Sequence, residues 1–272
     1  WRHIMKKKER VYLTELYYFA LSFFVYGFLG WCTEVAYAAA KQGKFVNRGF
    51  LNGPICPVYG IGVGVVVQFL TPVENNLVLL YISSTILVTV IEGITGFLLE
   101  KIFHNKWWDY SEQPLNIGGY VCVLFSLIWG VFCVLIVKII HPLIYKVLTM
   151  IPLVLGIVVM ACLAVGLLAD LYVTASGILK MNRRLEAMEK IAAELKELSD
   201  KVGENIYENV MEGMEFREEK KARIEELKAK YEEMAENRTK VGERLVKAFP
   251  KMQVGQHKEI FEELRERIKR SK

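Results

Sequence analysis

Residues 147–169 read VLTMIPLVLGIVVMACLAVGLLA, twenty-three consecutive positions without a charged side chain. A bilayer core of roughly 30 Å needs about 20 apolar residues at ~1.5 Å of helical rise each. Core helices of soluble proteins rarely stay uncharged for so long, so this stretch reads as a membrane span. Immediately beyond it the composition inverts. Residues 178–272 hold 23 of the 35 Lys/Arg and 21 of the 30 Asp/Glu, whereas residues 1–177 hold only 12 and 9. The whole-chain averages, 53% hydrophobic and 24% charged, therefore describe neither part. The net charge of +5 arises from interleaved signs in the tail, which is a solvated helical face and not a nucleic-acid footprint.

Upstream of residue 147 four more stretches have span length. Residues 16–40 are apolar apart from Ser22, Thr33 and Glu34, and residues 50–73 carry no charge but are interrupted by Gly53, Pro54, Pro57, Gly60, Gly62 and Gly64. Residues 77–99 carry one charge, Glu92, and residues 117–137 carry none. The pattern predicts an all-α protein: a polytopic transmembrane bundle of about five spans over 16–177, after an N-terminal tail of 1–15. A cytosolic charged helical domain over 178–272 follows. The basic tail belongs in the cytosol under the positive-inside rule, and five complete spans then place the N-terminus outside. Inner loops become 41–49, with Lys41, Lys44 and Arg48, and 101–116; outer loops become 71–76 and 138–146. Against this, Lys6, Lys7, Lys8 and Arg10 fall outside, and a re-entrant 50–73 segment would return them to the cytosol. The first apolar run is too long, and lacks the small-residue pattern, for a cleaved signal peptide. The five cysteines, Cys32, Cys56, Cys122, Cys133 and Cys162, show no CxxC spacing, which disfavours a disulfide framework or a zinc site.

Charges inside spans are expensive and mark sites or pathways. Here they are Glu34, Glu92 and, near a span end, Asp170. With five spans, Glu34 and Glu92 both lie roughly 6–9 Å from the midplane toward the cytosol. The same face gathers two polar loops, Asn47-Arg48-Gly49-Phe50-Leu51-Asn52-Gly53-Pro54 and Trp107-Trp108-Asp109-Tyr110-Ser111 leading to Asn116. A carboxylate in a span needs a cation or a proton, and Arg48 is the nearest plausible cation. The candidate substrate or polar site is therefore Glu34, Arg48, Asn52, Glu92, Glu100, Trp108, Asp109, Tyr110, Ser111 and Asn116. Plainer roles compete. Trp107, Trp108 and Tyr110 suit an interfacial aromatic belt, Glu100-Lys101 suits a helix end at the headgroups, and Gly60xxxGly64 and Ala36xxxAla40 suit close helix packing.

Two runs carry a family resemblance. One is Gly30-Trp31-Cys32-Thr33-Glu34 with Phe45-Val46-Asn47-Arg48-Gly49-Phe50-Leu51-Asn52-Gly53-Pro54-Ile55-Cys56-Pro57-Val58-Tyr59-Gly60. The other is Glu92-Gly93-Ile94-Thr95-Gly96-Phe97-Leu98-Leu99-Glu100-Lys101 with Trp107-Trp108-Asp109-Tyr110-Ser111 and Asn116-Ile117-Gly118-Gly119-Tyr120-Val121-Cys122. Over roughly residues 15–145 the chain resembles the bacterial membrane family labelled putative ABC-transporter type IV, a permease-like component. The family often has Arg where this chain has Tyr120. The resemblance implies a multi-pass plasma-membrane subunit of a transport system.

The chain contains no GxxxxGK[ST], so ATP hydrolysis would fall to a separate ATP-binding subunit, and no cofactor is expected. Neither is a recognisable catalytic motif of its own, which favours a non-enzyme. Two alternatives stay open. One is a membrane-embedded enzyme using intramembrane carboxylates on a lipid-linked substrate; the other is a scaffold whose tail recruits partners. Within the tail, Ile178, Met181, Leu185, Met188, Ala192, Leu195, Ser199, Val202 and Ile206 alternate steps of three and four, a heptad seam. Gly213 offers a break. Ile224, Leu227, Tyr231 and Met234 resume the spacing, and Ile260, Phe261, Leu264 and Ile268 form a last amphipathic segment after Pro250. A hairpin of antiparallel helices, or a homo-oligomeric coiled coil, would bury that seam. Besides the lipid bilayer, then, the expected partners are an ATP-binding chain or a second copy, and no nucleic acid.

Overall fold

The computed structural model describes residues 2–208, 213–255 and 257–270, with side chains over 12–202, 218–255 and 257–270. The basic side chains of the N-terminal tail and that of Ile206 therefore lie outside the described residues. The chain divides into two compact units, Trp1–Thr174 with Lys247–Met252, and Ala175–Val246 with Gln253–Lys272.

The first unit is built from helices α1 (Arg2–Gln42), α2 (Pro57–Leu70), α3 (Leu77–Phe103), α4 (Val123–Leu135), α5 (His141–Leu148) and the start of α6 (Leu153–Glu208). Among the described residues, four stretches are long and apolar enough to cross a membrane: Tyr12–Gln42, Leu77–Phe103, Val123–Leu148 and Leu153–Val202. Their outward residues are large and apolar; Leu155, Val158 and Leu168 of α6, for example, are more than half exposed. Only a hydrocarbon solvent accommodates so much bare apolar surface. This is a helical membrane protein.

Four local departures from the sequence reading have clear causes. The uncharged stretch 50–73 is helical only from Pro57, because Gly49, Gly53 and Pro54 hold residues 43–56 outside helical geometry. Residues 116–122 form a short antiparallel hairpin, pairing Asn116 with Cys122 and Ile117 with Val121, so the following helix starts at Val123. Its turn uses Gly118 and Gly119 at φ 60° and 73°, a region that side chains disfavour. Residues 138–146, expected as a loop, are helical through a π-helical turn (Ile136–Ile140) and α5. The chain turns instead at 149–152, where Pro152 precedes α6.

Relative directions follow from contacts. α2 packs on α1 with numbers falling on one as they rise on the other: Gly60 lies against Phe23, and Gly64 against Phe19. The pair is antiparallel. Just before α2, Cys56 N–H donates to the Gly27 carbonyl at 2.9 Å, and Gly27 is the middle of Tyr12–Gln42. α2 thus begins halfway along α1, and the irregular chain 43–56 covers the other half. Val66 and Leu70 share a buried cluster with Leu80 at the start of α3 and with Cys133 and Val137. At the far end of α3, Phe103 meets Phe50 with ring centroids 5.7 Å apart. α3 therefore runs antiparallel to α2. Continuing, Tyr26 hydrogen-bonds His141 at 3.0 Å, and Tyr17 lies against Gly156 near the start of α6.

In the second unit Ile178, Met181, Leu185, Met188 and Ile191 of α6 are buried, as are Leu227 of α7 (Gly213–Glu236) and Leu245 of α8 (Lys240–Ala248). So are Ile260, Phe261, Leu264 and Ile268 of α9 (Lys258–Arg270). Burial along the heptad seam fades from Ala192, and Ser199 is exposed. Charged flanks add cross-links: Arg223 of α7 to Glu194 of α6 at 3.0 Å, and Arg267 of α9 to Glu232 of α7 at 2.5 Å.

Candidate functional site

The break before α2 makes room for polar groups. Three clusters form around it and around the hairpin that precedes α4.

Glu34 anchors the first. Tyr59, one turn into α2, donates its hydroxyl to Glu34 Oε1 at 2.7 Å. Arg48 Nε lies 3.1 Å from Oε2, although its N–H is not aimed as a hydrogen bond requires, so the pair is Coulombic first. With 30% and 26% of the two side chains exposed, screening is only partial. The guanidinium also sits 4.9 Å from the Tyr37 ring centre, a cation–π contact. Asn47 stiffens the loop, accepting from Trp31 Nε1 at 2.8 Å and from the Gly49 amide at 3.0 Å, and donating to the Asn52 carbonyl at 2.7 Å.

Asp170 of α6 anchors the second. Its Oδ2 accepts from the Gly53 amide at 2.6 Å, and its Oδ1 from the Asn52 amide and side chain at 3.1 and 2.8 Å. Asn52 Nδ2 also reaches buried Thr174 at 3.0 Å. The non-helical chain ahead of α2, which has no helical partners for its amides, is thereby tied to a carboxylate 117 positions away.

The third lies in the segment between α3 and α4. Asp109 accepts from the Ser111 amide and hydroxyl at 3.0 and 2.6 Å and pairs with Lys106 at 3.2 Å. Burial opposes ionisation of Asp109, yet Ser111 and Lys106 together hold its carboxyl below the usual range. Asn116 Nδ2 donates to the Ser111 and Gln113 carbonyls at 3.1 and 2.8 Å, and Trp108 Nε1 donates to the Tyr120 carbonyl at 2.8 Å. These four residues bond within their own loop and shape it. Lys106 lies 5.1 Å from the Tyr120 ring centre, and the Tyr120 phenol is raised by its hydrogen bond to Glu100.

Tyr110 is different. Its ring stacks on Phe125 of α4 at 5.0 Å, and its hydroxyl donates to Glu92 Oε1 at 3.3 Å. Burial, then the charge and hydrogen bond of Glu92, push the phenol well above its ordinary range; Cys122 and Glu34 add to this. Tyr110 is thus under the field of both span carboxylates. One helical turn beyond Phe125, Trp129 meets the Tyr59 ring with centroids 6.0 Å apart. A single face of α4 therefore backs both phenols, one serving Glu34 and the other Glu92.

The structure brings Arg48 to Glu34 but gives Glu92 a phenol instead of a cation. Sequence reasoning left Tyr59, Asn47 and Trp31 out of the site and treated Asp170 only as a span-end charge. Polar residues beside Gly and Pro in an uncharged run were the available signal.

A family model described as "Putative ABC-transporter type IV" matches residues 21–175. The chain belongs to that family. Its match runs from within α1 to the start of the second unit and so encloses all three clusters, while the charged tail lies beyond it. Among the curated proteins and the solved structures, nothing matches the chain.

Proposed function

We propose that the protein is the permease-like membrane subunit of a transport system whose ATPase is a separate chain. The observation that carries this reading is the broken second segment. A helix that starts at mid-depth of its neighbour, preceded by irregular chain lined with Glu34, Arg48, Asn47 and Asn52, is how transporters bury polar sites within a bilayer. Irregular backbone at such depth is tolerated only where protein or a polar cavity satisfies it. Membership of an ABC-transporter family supports the same reading.

In this proposal residues 43–73 make one crossing, half loop and half helix, between α1 and α3. The chain then crosses five times, the N-terminus lies outside the plasma membrane, and the charged C-terminal unit lies in the cytosol as a helical hairpin that docks the partner. The antiparallel pairings of α1 with α2, and of α2 with α3, support that count. Glu34, Arg48, Asn52 and Glu92 face the transported solute, while Trp108, Asp109, Ser111 and Asn116 shape the loop beside it.

Affinity capture of the full chain from native membranes after crosslinking tests the partner. A nucleotide-hydrolysing chain should be retained, and its consistent absence overturns the subunit assignment. Topology is tested by single cysteines in a background without the native five. Asn75→Cys should react with an impermeant thiol reagent from outside, and Gln42→Cys and Ser111→Cys should not. Ready outside labelling of Gln42→Cys overturns the five-crossing arrangement.

A further inference from the structure

The two span carboxylates are held in unequal ways. Glu34 has a phenol and a guanidinium, from Tyr59 and Arg48. Glu92 has a phenol alone: Tyr110 donates to Oε1 at 3.3 Å, and buried Oε2 has no hydrogen-bond partner. No cation pairs with Glu92 among the described residues. Nor do the described residues gather three or more His, Cys, Asp or Glu there or elsewhere, so a metal ion would lack a ligand set. The titratable group facing Glu92 is Tyr110; Tyr110 in turn has Cys122 of the hairpin and Glu34 of α1 in its surroundings, and Glu34 is bonded to Tyr59 of α2. From α4, Phe125 stacks on Tyr110 and Trp129 meets Tyr59, an aromatic wall behind the two phenols.

A carboxylate that lacks a cation in a low-dielectric span is costly; a carboxylic acid there is not. The hydrogen bonding favours the acid as well. One oxygen accepts from Tyr110, and leaving the other without a partner costs less for a neutral acid than for an anion. We propose that Glu92 is a proton-binding site within the third helix: a neutral carboxyl at neutral pH, with Tyr110 bonded to Oε1 and the proton on Oε2. Glu34, by contrast, has the Arg48 guanidinium 3.1 Å away. This assignment stands on the local geometry and holds whether or not the chain transports anything.

Infrared spectroscopy of the full chain in phospholipid vesicles at neutral pH tests it directly. The wild type should show a protonated-carboxyl stretching band that moves on exchange into heavy water. Glu92→Gln should remove that band, and Glu34→Gln should leave it in place. Tyr110→Phe, which keeps the acid but deletes the hydrogen bond to Oε1, should shift the band without abolishing it. A band that survives Glu92→Gln unchanged, or its absence from the wild type, overturns the proposal. Should Glu92→Gln not fold, Tyr110→Phe still decides the matter, because an unshifted band there means that another acid carries the proton. Capture of an ATPase in the separate partner experiment has no bearing on these outcomes, so the two readings fail independently.

Discussion

Asp170 and Gly53 stand 117 residues apart, yet the Gly53 amide donates to Asp170 Oδ2 at 2.6 Å. With Asn52 bonded to the other oxygen, one carboxylate closes the irregular chain ahead of α2 onto α6. Hydrogen bonds to a charged group contribute about 1.5–3 kcal/mol each, and an amide left unsatisfied costs a similar amount. Asp170→Ala should therefore destabilise the first unit by about 2–4 kcal/mol, and Asp170→Asn by less, since one acceptor remains. Unfolding midpoints in detergent check this, and equal midpoints for wild type and Asp170→Ala refute it.

Arg48 and Glu34 should be coupled, while Arg48 and Glu92 should not. Contacting charges give interaction energies of about 0.5–3 kcal/mol in double-mutant cycles, whereas sites without a shared partner add to within about 0.5 kcal/mol. Arg48→Ala with Glu34→Gln should be milder than the sum of the single changes, because neither charge is stranded. Arg48→Ala with Glu92→Gln should simply add. The same detergent midpoints measure both cycles, and strong coupling only in the second would show that the cation serves the wrong carboxylate here.

Two glycines of α2, two positions apart, should respond in opposite ways to alanine. A Cβ on Gly60 would stand 2.5 Å from the Phe23 carbonyl oxygen, a backbone atom that cannot step aside. A Cβ on Gly62 would meet only Ile91, at 3.9 Å. Overpacking of this kind costs typically ~1–3 kcal/mol, so Gly60→Ala should lower the midpoint clearly. Gly62→Ala should leave it unchanged or raise it, since alanine is the better helix former. Comparable losses at both positions would contradict the antiparallel α1–α2 packing.

Asp109 ties acid stability to the loop between α3 and α4. Its folded carboxyl titrates below the usual range because Ser111 and Lys106 outweigh its burial. The unfolded chain therefore takes up the proton first as pH falls. The contribution is complete above about pH 4, the ordinary carboxyl value, and is lost as pH drops through the lower folded value. Asp109→Asn should remove that part of the pH dependence while leaving the neutral-pH slope unaltered. Unfolding midpoints followed from neutral to acidic pH compare the two, and parallel profiles count against the assignment.

Helix type and membrane class were legible in the sequence because both depend on local composition. A run such as 147–169 has no alternative to hydrocarbon, and one glycine-proline cluster suffices to interrupt a helix. Polar side chains within those runs likewise singled out Glu34, Asn52 and Glu92, and the adjoining loop offered Arg48 as the nearest cation. Which partner each receives is a tertiary matter. Arg48 is fourteen positions from Glu34 and reaches it because residues 43–56 fold back along α1; Glu92 meets Tyr110 because a glycine-turned hairpin returns that loop toward α3 and α4. Nothing in the spacing of Asn52 and Asp170 foretells their contact, since it depends on where α6 packs. Composition chose the solvent, and backbone breaks chose where polar chain enters it. Only the way the irregular segments fold back onto the helices decided which carboxylate keeps a cation and which is left with a phenol alone.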